Sequence, residues 1–216
     1  MFDTLQEVNR AERITTLSDQ TRPVTMAVDQ TVPLPPALHG LFPLGLRRGS
    51  TVAVSPLVPT TQGMTSVAFS LAAAASAAGS WCAAVGFADL GLVAVAEMGV
   101  DLGRLALVPR PAPGQWVMVV GALLDAVDIL IVRPPAHLRQ GDARRLITRA
   151  RERGAVLVPV GRWTEGADVR LVVASSQWEG AGAGDGHLLG RRLEVRAGGR
   201  GAASRERSLW LDTLAG

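Results

Sequence analysis

From residue 41 onward the chain switches repeatedly between short β-branched apolar runs and longer stretches with helical spacing. STVAVSP at 50–56, WCAAVGF at 81–87, RLALVPRP at 104–111, VDILIVRPP at 127–135 and AVLVPVG at 155–161 read as strands. Between them TSVAFSLAAAASAAG (65–79), LGLVAVAEMGV (90–100), PGQWVMVVGALLDA (113–126) and GDARRLITRARERG (141–154) read as helices. Strands that are apolar throughout and alternate with helices predict an α/β fold, a mainly parallel sheet covered on both faces. VRLVVASSQW (169–178) and RRLEVRA (191–197) instead alternate polar with apolar positions, as an antiparallel C-terminal extension does, and the loop EGAGAGDGH (179–187) separates them.

The ends depart from this pattern. Phe2, Leu5, Val8, Ala11, Ile14 and Leu17 recur every three residues with polar residues between, which predicts an N-terminal helix over 1–20. A spacing of three drifts around a 3.6-residue helix, so that helix touches more than one surface. The four prolines of 21–40 suppress helix and predict a linker over 21–39. The core then runs over 40–200 and a C-terminal tail over 201–216, carrying the apolar hook SLWLDTL.

Composition narrows the chemistry. All 22 basic residues of the 216-residue chain are arginine, so lysine Schiff bases, lysine general bases and a phosphate-loop lysine are excluded together. Residues 1–132 hold 7 Arg against 10 acids and residues 133–216 hold 15 against 9, giving −3 and +6; the basic half suits an acidic or nucleic-acid partner, or a solvated surface. The single cysteine, Cys82, lies in an apolar run and reads as a small buried hydrophobe. His39, His137 and His187 are scattered without metal-ligand spacing, and Ser55 and Ser175 lack a nucleophile elbow. The apolar stretch 67–85 is interrupted by Ser76, Gly79 and Ser80 and reads as a buried helix running into a strand rather than a membrane span. An acidic start without an apolar leader segment points to the cytoplasm.

Several motifs in order carry a family resemblance. HGLFPLGLRRGSTVAVSP (39–56) resembles the glycine-proline turn and first core strand of the RecA recombinase core, and GMTS (63–66) takes the place of its GKTT. WCAAVGFADLGL resembles its second strand and acidic turn, MGVDLGRLALVPRP its helix end and third strand, and VDILIVRPP falls where its Walker B strand ends in aspartate. These segments cover residues 40–161 and are most similar to the RecA-like accessory proteins of the actinobacterial mutasome, the ImuA-prime family. That resemblance implies a RecA-like core in a DNA-damage-induced adaptor. Its partner would be the catalytically inactive Y-family polymerase ImuB, which links an error-prone C-family DNA polymerase to the sliding clamp. The implied setting is SOS mutagenesis and translesion synthesis, in the cytoplasm and at the nucleoid when induced.

Against that family the nucleotide site is degenerate. Gly63 and Thr65 match the glycine and the magnesium-binding hydroxyl, while Met64 stands at the lysine position. Seven residues separate Ser55 from Gly63, and Pro56 and Pro59 remove two amide donors from the cradle. The water-orienting glutamate aligns near Ala88, one residue from Asp89, and the Walker B aspartate is replaced near Arg133, whose charge repels magnesium. Loss of the lysine and of the magnesium ligand each removes electrostatic stabilisation of phosphoryl transfer, roughly several kcal/mol. The reading is therefore a non-enzyme without cofactor or metal. Alternatives are a nucleotide-responsive ATPase relative that borrows an arginine, or a single-strand DNA-binding accessory.

The DNA-gripping loops of recombinases are represented only by RPPAHLRQGD and RWTEGAD, which argues against strand exchange. Arg145, Arg149 and Arg153 recur on one helical face and are the candidates for phosphate contact, making DNA a weak secondary partner; a solvated helix face is the other reading. Partner capture is assigned to the termini: Phe2, Leu5 and Val8 at one end, and Leu209, Trp210, Leu211 and Leu214 at the other. If the C-terminal group is an anchor, deleting 208–216 abolishes capture without lowering the melting temperature. If it is a strand or helix on its own core, stability falls as well.

Overall fold

The structure, a computed structural model, describes residues 31–180, 189–199 and 205–214. The predicted N-terminal helix with Phe2, Leu5 and Val8, the start of the linker, most of the glycine-rich loop and the last two residues lie outside the described residues.

Among the described residues ten strands and four α-helices follow in chain order. They are β1 (Thr31–Val32), β2 (Leu46–Arg47), β3 (Val52–Pro56), α1 (Met64–Ala77), β4 (Cys82–Val85), α2 (Leu92–Glu97), β5 (Leu105–Val108), α3 (Trp116–Leu124), β6 (Ile129–Val132), α4 (Gln140–Arg153), β7 (Val156–Pro159), β8 (Val169–Glu179), β9 (Gly190–Gly199) and β10 (Arg207–Leu214). Strands β5-β4-β6-β7 pair in parallel, and β3 pairs in parallel with β8. Two parallel bridges, Thr51 with Leu157 and Val54 with Val160, place β3 beside β7 and join the two sets in the order β5-β4-β6-β7-β3-β8-β9-β10. Strands β9 and β10 are antiparallel additions. The fold is thus mixed α/β, a parallel sheet flanked by helices and extended by antiparallel strands.

The central strands read as unbroken apolar runs because both of their faces are covered. Alternation along each strand sends Val52, Val54, Ile129, Ile131, Val156 and Val158 into one core with α1, and Ala53, Leu130, Val132 and Leu157 into a second with α3 and α4. Helix α1 is alanine-rich and buried at Val67, Ala68, Phe69, Leu71, Ala72 and Ala75, more of its circumference than a surface helix covers. Part of what lies over it comes from the proline-rich stretch. Val32, Leu34, Leu38, Leu41, Phe42 and Leu46 belong to the same core, so the described part of the predicted linker is packed structure. Helix α4 is amphipathic, burying Ala143, Leu146 and Ala150 beneath a row of arginines. Among the described residues no helix is long and apolar enough to cross a membrane.

Candidate functional site

Six parallel strands point their C-terminal ends to one edge of the sheet, so the loops after β3, β4 and β6 emerge together. Strand β4 leads outward to β5 while β6 leads the other way to β7, and such a reversal between neighbours opens the crevice where open α/β sheets bind ligands. Here Arg133, the first residue after β6, occupies that place. Its Nη1 donates to Asp89 Oδ1 at 2.8 Å, and its guanidinium lies 4.6 Å from the centre of the Phe87 ring. Phe87 is buried edge-to-face on Phe69 of α1, ring centres 5.7 Å apart, which fixes the platform. The hydrogen bond from Arg133 holds the Asp89 carboxyl below the usual carboxylate range. Gly86 makes the close approach of the two loops feasible: its φ is +87°, and a Cβ there would sit 2.9 Å from the Arg133 carbonyl oxygen. The position expected to hold a magnesium-binding aspartate therefore carries a guanidinium paired with the carboxylate beside the expected water-orienting position.

The loop after β3 leaves by a hydrogen bond from Leu57 N to Val173 O at 2.9 Å and turns at Val58, whose carbonyl accepts from Thr61 N at 2.9 Å. Leu57 and Val58 are exposed. Gly63 caps α1 with φ +114°, and a Cβ on it would come within 2.6 Å of Leu193 Cδ2, so β9 closes over the loop. Met64 is partly buried against the apolar core. Thr65 is partly buried in the first turn of the helix.

Sequence reading missed Arg191. It precedes Leu193 and Val195 on the inward face of β9, and its Nη2 lies 3.4 Å from where a Gly63 Cβ would be. Arg191 Nε donates to Ser176 Oγ at 2.9 Å, the guanidinium stacks 4.6 Å from the Trp178 ring centre, and Nη2 is buried without a hydrogen-bond partner among the described residues. Burial lowers its pKa. The signal available in the sequence was the strand alternation of RRLEVRA; its proximity to Gly63 depends on β9 folding back beside β8.

The arginine face of α4 is mostly engaged within the molecule. Arg149 Nε and Arg153 Nε both donate to Asp125 Oδ1, at 2.9 and 3.0 Å, and Arg149 Nη2 donates to Asp125 Oδ2. The arginine bonds, that of Arg149 first, hold the Asp125 carboxyl low. Arg144 Nε donates to the buried carboxylate of Glu165 at 2.7 Å, and Arg151 faces Asp168 at 3.5 Å. Of the three phosphate-contact candidates Arg145 is the most exposed, at 84%, and its ion pair with Asp142 is the longest, at 3.7 Å. Arg149 and Arg153 share one aspartate at the end of α3, so the pair keeps a net positive charge on a half-exposed face.

The C-terminal hook is a strand on its own core, the second of the two alternatives. Strand β10 pairs with β9 along its whole length, from Arg207 opposite Ala197 to Leu214 opposite Gly190. Leu211 is buried and Leu209 packs against the core, while Trp210 faces outward with Arg192 over its ring at 5.4 Å. Among the C-terminal partner candidates with described side chains, Leu209 and Leu211 therefore face inward and Trp210 outward.

A mixed α/β sheet with an arginine–aspartate pair at its switch point defines the class of protein. Within it, the chain belongs to the MT3502 N-terminal domain family, whose model matches residues 40–165. It is also similar to the uncharacterized protein Rv3395c of Mycobacterium tuberculosis (strain ATCC 25618 / H37Rv), 35% identical over 169 residues, 71% of this chain and 82% of that protein. The family match takes in Gly63, Met64, Thr65, Asp89, Arg133 and α4, and ends before β8.

Proposed function

We propose that this chain is a non-enzymatic adaptor with a RecA-like core, acting in SOS-induced mutagenesis and translesion DNA synthesis by binding the inactive Y-family polymerase ImuB. The observation that carries the reading is Arg133 bonded to Asp89 where a phosphate-transfer site needs a carboxylate and a metal. Three further features support it: a loop with no lysine, Met64 turned partly into the core, and Gly63 closed over by Leu193. Exposed apolar side chains at Leu92, Val93 and Leu102, all between β4 and β5, suit an adaptor that docks protein rather than substrate.

The test is a calorimetric titration of Mg-ATP into the full chain, alone and with ImuB present, alongside co-purification of the two proteins. The expected outcome is no heat from nucleotide and a stable complex. ATP turnover that Thr65→Ala abolishes would sink the reading. Arg191 beside Gly63 favours a second reading, a nucleotide-responsive relative whose charge comes from arginine. In that case saturable binding appears and Arg191→Ala removes it.

A further inference from the structure

We infer that the chain associates with a second copy of itself through β10, the two strands pairing antiparallel about Trp210. Among the described residues β10 ends the sheet, leaving one row of its backbone amides and carbonyls turned outward over eight residues. The opposite end, β5, is only four residues long, which is one way that proteins blunt an edge. Strand β10 has no proline, glycine or bulge to do so.

The occupant follows from the strand's own sequence. SLWLD is symmetric in character about Trp210. A twofold axis through the sheet at that residue pairs positions whose numbers sum to 420, and such pairs share a face. Leu209 then meets Leu211 of the other copy on the core side, extending the packing that Leu211 already makes and covering the exposed part of Leu209. On the outer face Trp210 meets Trp210, and Ser208 meets Asp212, a hydroxyl donor opposite a carboxylate. No like charges fall opposite each other in these pairs. Arg192 orders that face, lying over the Trp210 ring while its Nε donates to Asp212 Oδ1 at 3.1 Å, and the Asp212 carboxylate stays 81% exposed. A shift of one residue would place leucines against outward-facing residues, which fixes the register.

Sedimentation velocity on the full chain, over a concentration series, reads the association. The expected species has twice the 22.6 kDa chain mass. Ser208→Asp, on an exposed side chain, sets carboxylates opposite Asp212 twice per dimer and is expected to shift the protein to monomer with an unchanged circular dichroism spectrum. Trp210→Cys reads the register: the residue meets its own copy, so oxidation is expected to give a disulfide-linked dimer, whereas Gln177→Cys, on β8 two strands in from that edge, gives none. Cys82 does not interfere, being fully buried. A monomeric wild type overturns the inference, as does a dimer that persists in Ser208→Asp and leaves Trp210→Cys uncross-linked.

Discussion

Arg133 shows how closely one side chain can be held at the carboxyl edge of a sheet. Its guanidinium has an aromatic platform on one side and a carboxylate on the other, and both neighbours come from the loop after β4. Gly86→Ala is expected to disturb this contact, since the new methyl meets the Arg133 carbonyl and the residue sits at positive φ. The expected loss is about 2–4 kcal/mol in urea unfolding. Asp89 gives a pH signature. Its folded pKa is depressed, so the stabilisation is present above the unfolded value of about 3.9 and is lost as pH falls through the folded pKa. The stability difference between wild type and Asp89→Asn should therefore shrink below about pH 4 and hold steady through neutrality. Cys82 behaves in the opposite direction. Burial pushes its thiol up to about 12, so in the folded protein it should resist thiol reagents at pH 8 and react only on unfolding.

At the scale of elements, α4 and β10 show how a pattern can be right and its use different. The spacing of GDARRLITRARERG identifies the helix and its buried stripe, and Leu146→Ala in that stripe should cost about 2–4 kcal/mol. The arginines on its other faces were legible as a charged surface, but their partners were not, because Asp125 and Glu165 come from α3 and from the loop after β7. Asp125→Asn frees Arg149 and Arg153. Fluorescence anisotropy with a labelled single-stranded oligonucleotide should then show tighter and more salt-sensitive binding than wild type. An unchanged titration would mean that α4 is a solvated face and no more. In the C-terminal strand the alternation of Leu209, Trp210 and Leu211 was visible, whereas the direction of each side chain followed from pairing with β9. Removal of 208–216 is accordingly expected to lower the melting temperature, since it strips a strand from β9 and removes buried Leu211.

For the whole molecule, the sheet has two ends with different characters. The β5 end has exposed Leu92, Val93 and Leu102, all between β4 and β5, and the β10 end presents a longer, amphipathic strand edge. If the chain binds ImuB as proposed and β10 is occupied by a second copy, the ImuB surface falls to the other end. Val93→Asp, on a side chain 73% exposed, should weaken co-purification with ImuB while changing stability by less than about 0.5 kcal/mol. Equal capture by wild type and variant would move the partner surface elsewhere. Sequence alone determined the alternation of strands and helices, the loss of lysine chemistry and the antiparallel ending, because those depend on residue type and on periods of two and 3.6. Only the tertiary structure decided that Arg133 meets Asp89, that Arg191 stands beside Gly63, and that Asp125 pairs with two arginines of α4. Those contacts join residues 24 to 128 positions apart, and no local period encodes which strands become neighbours.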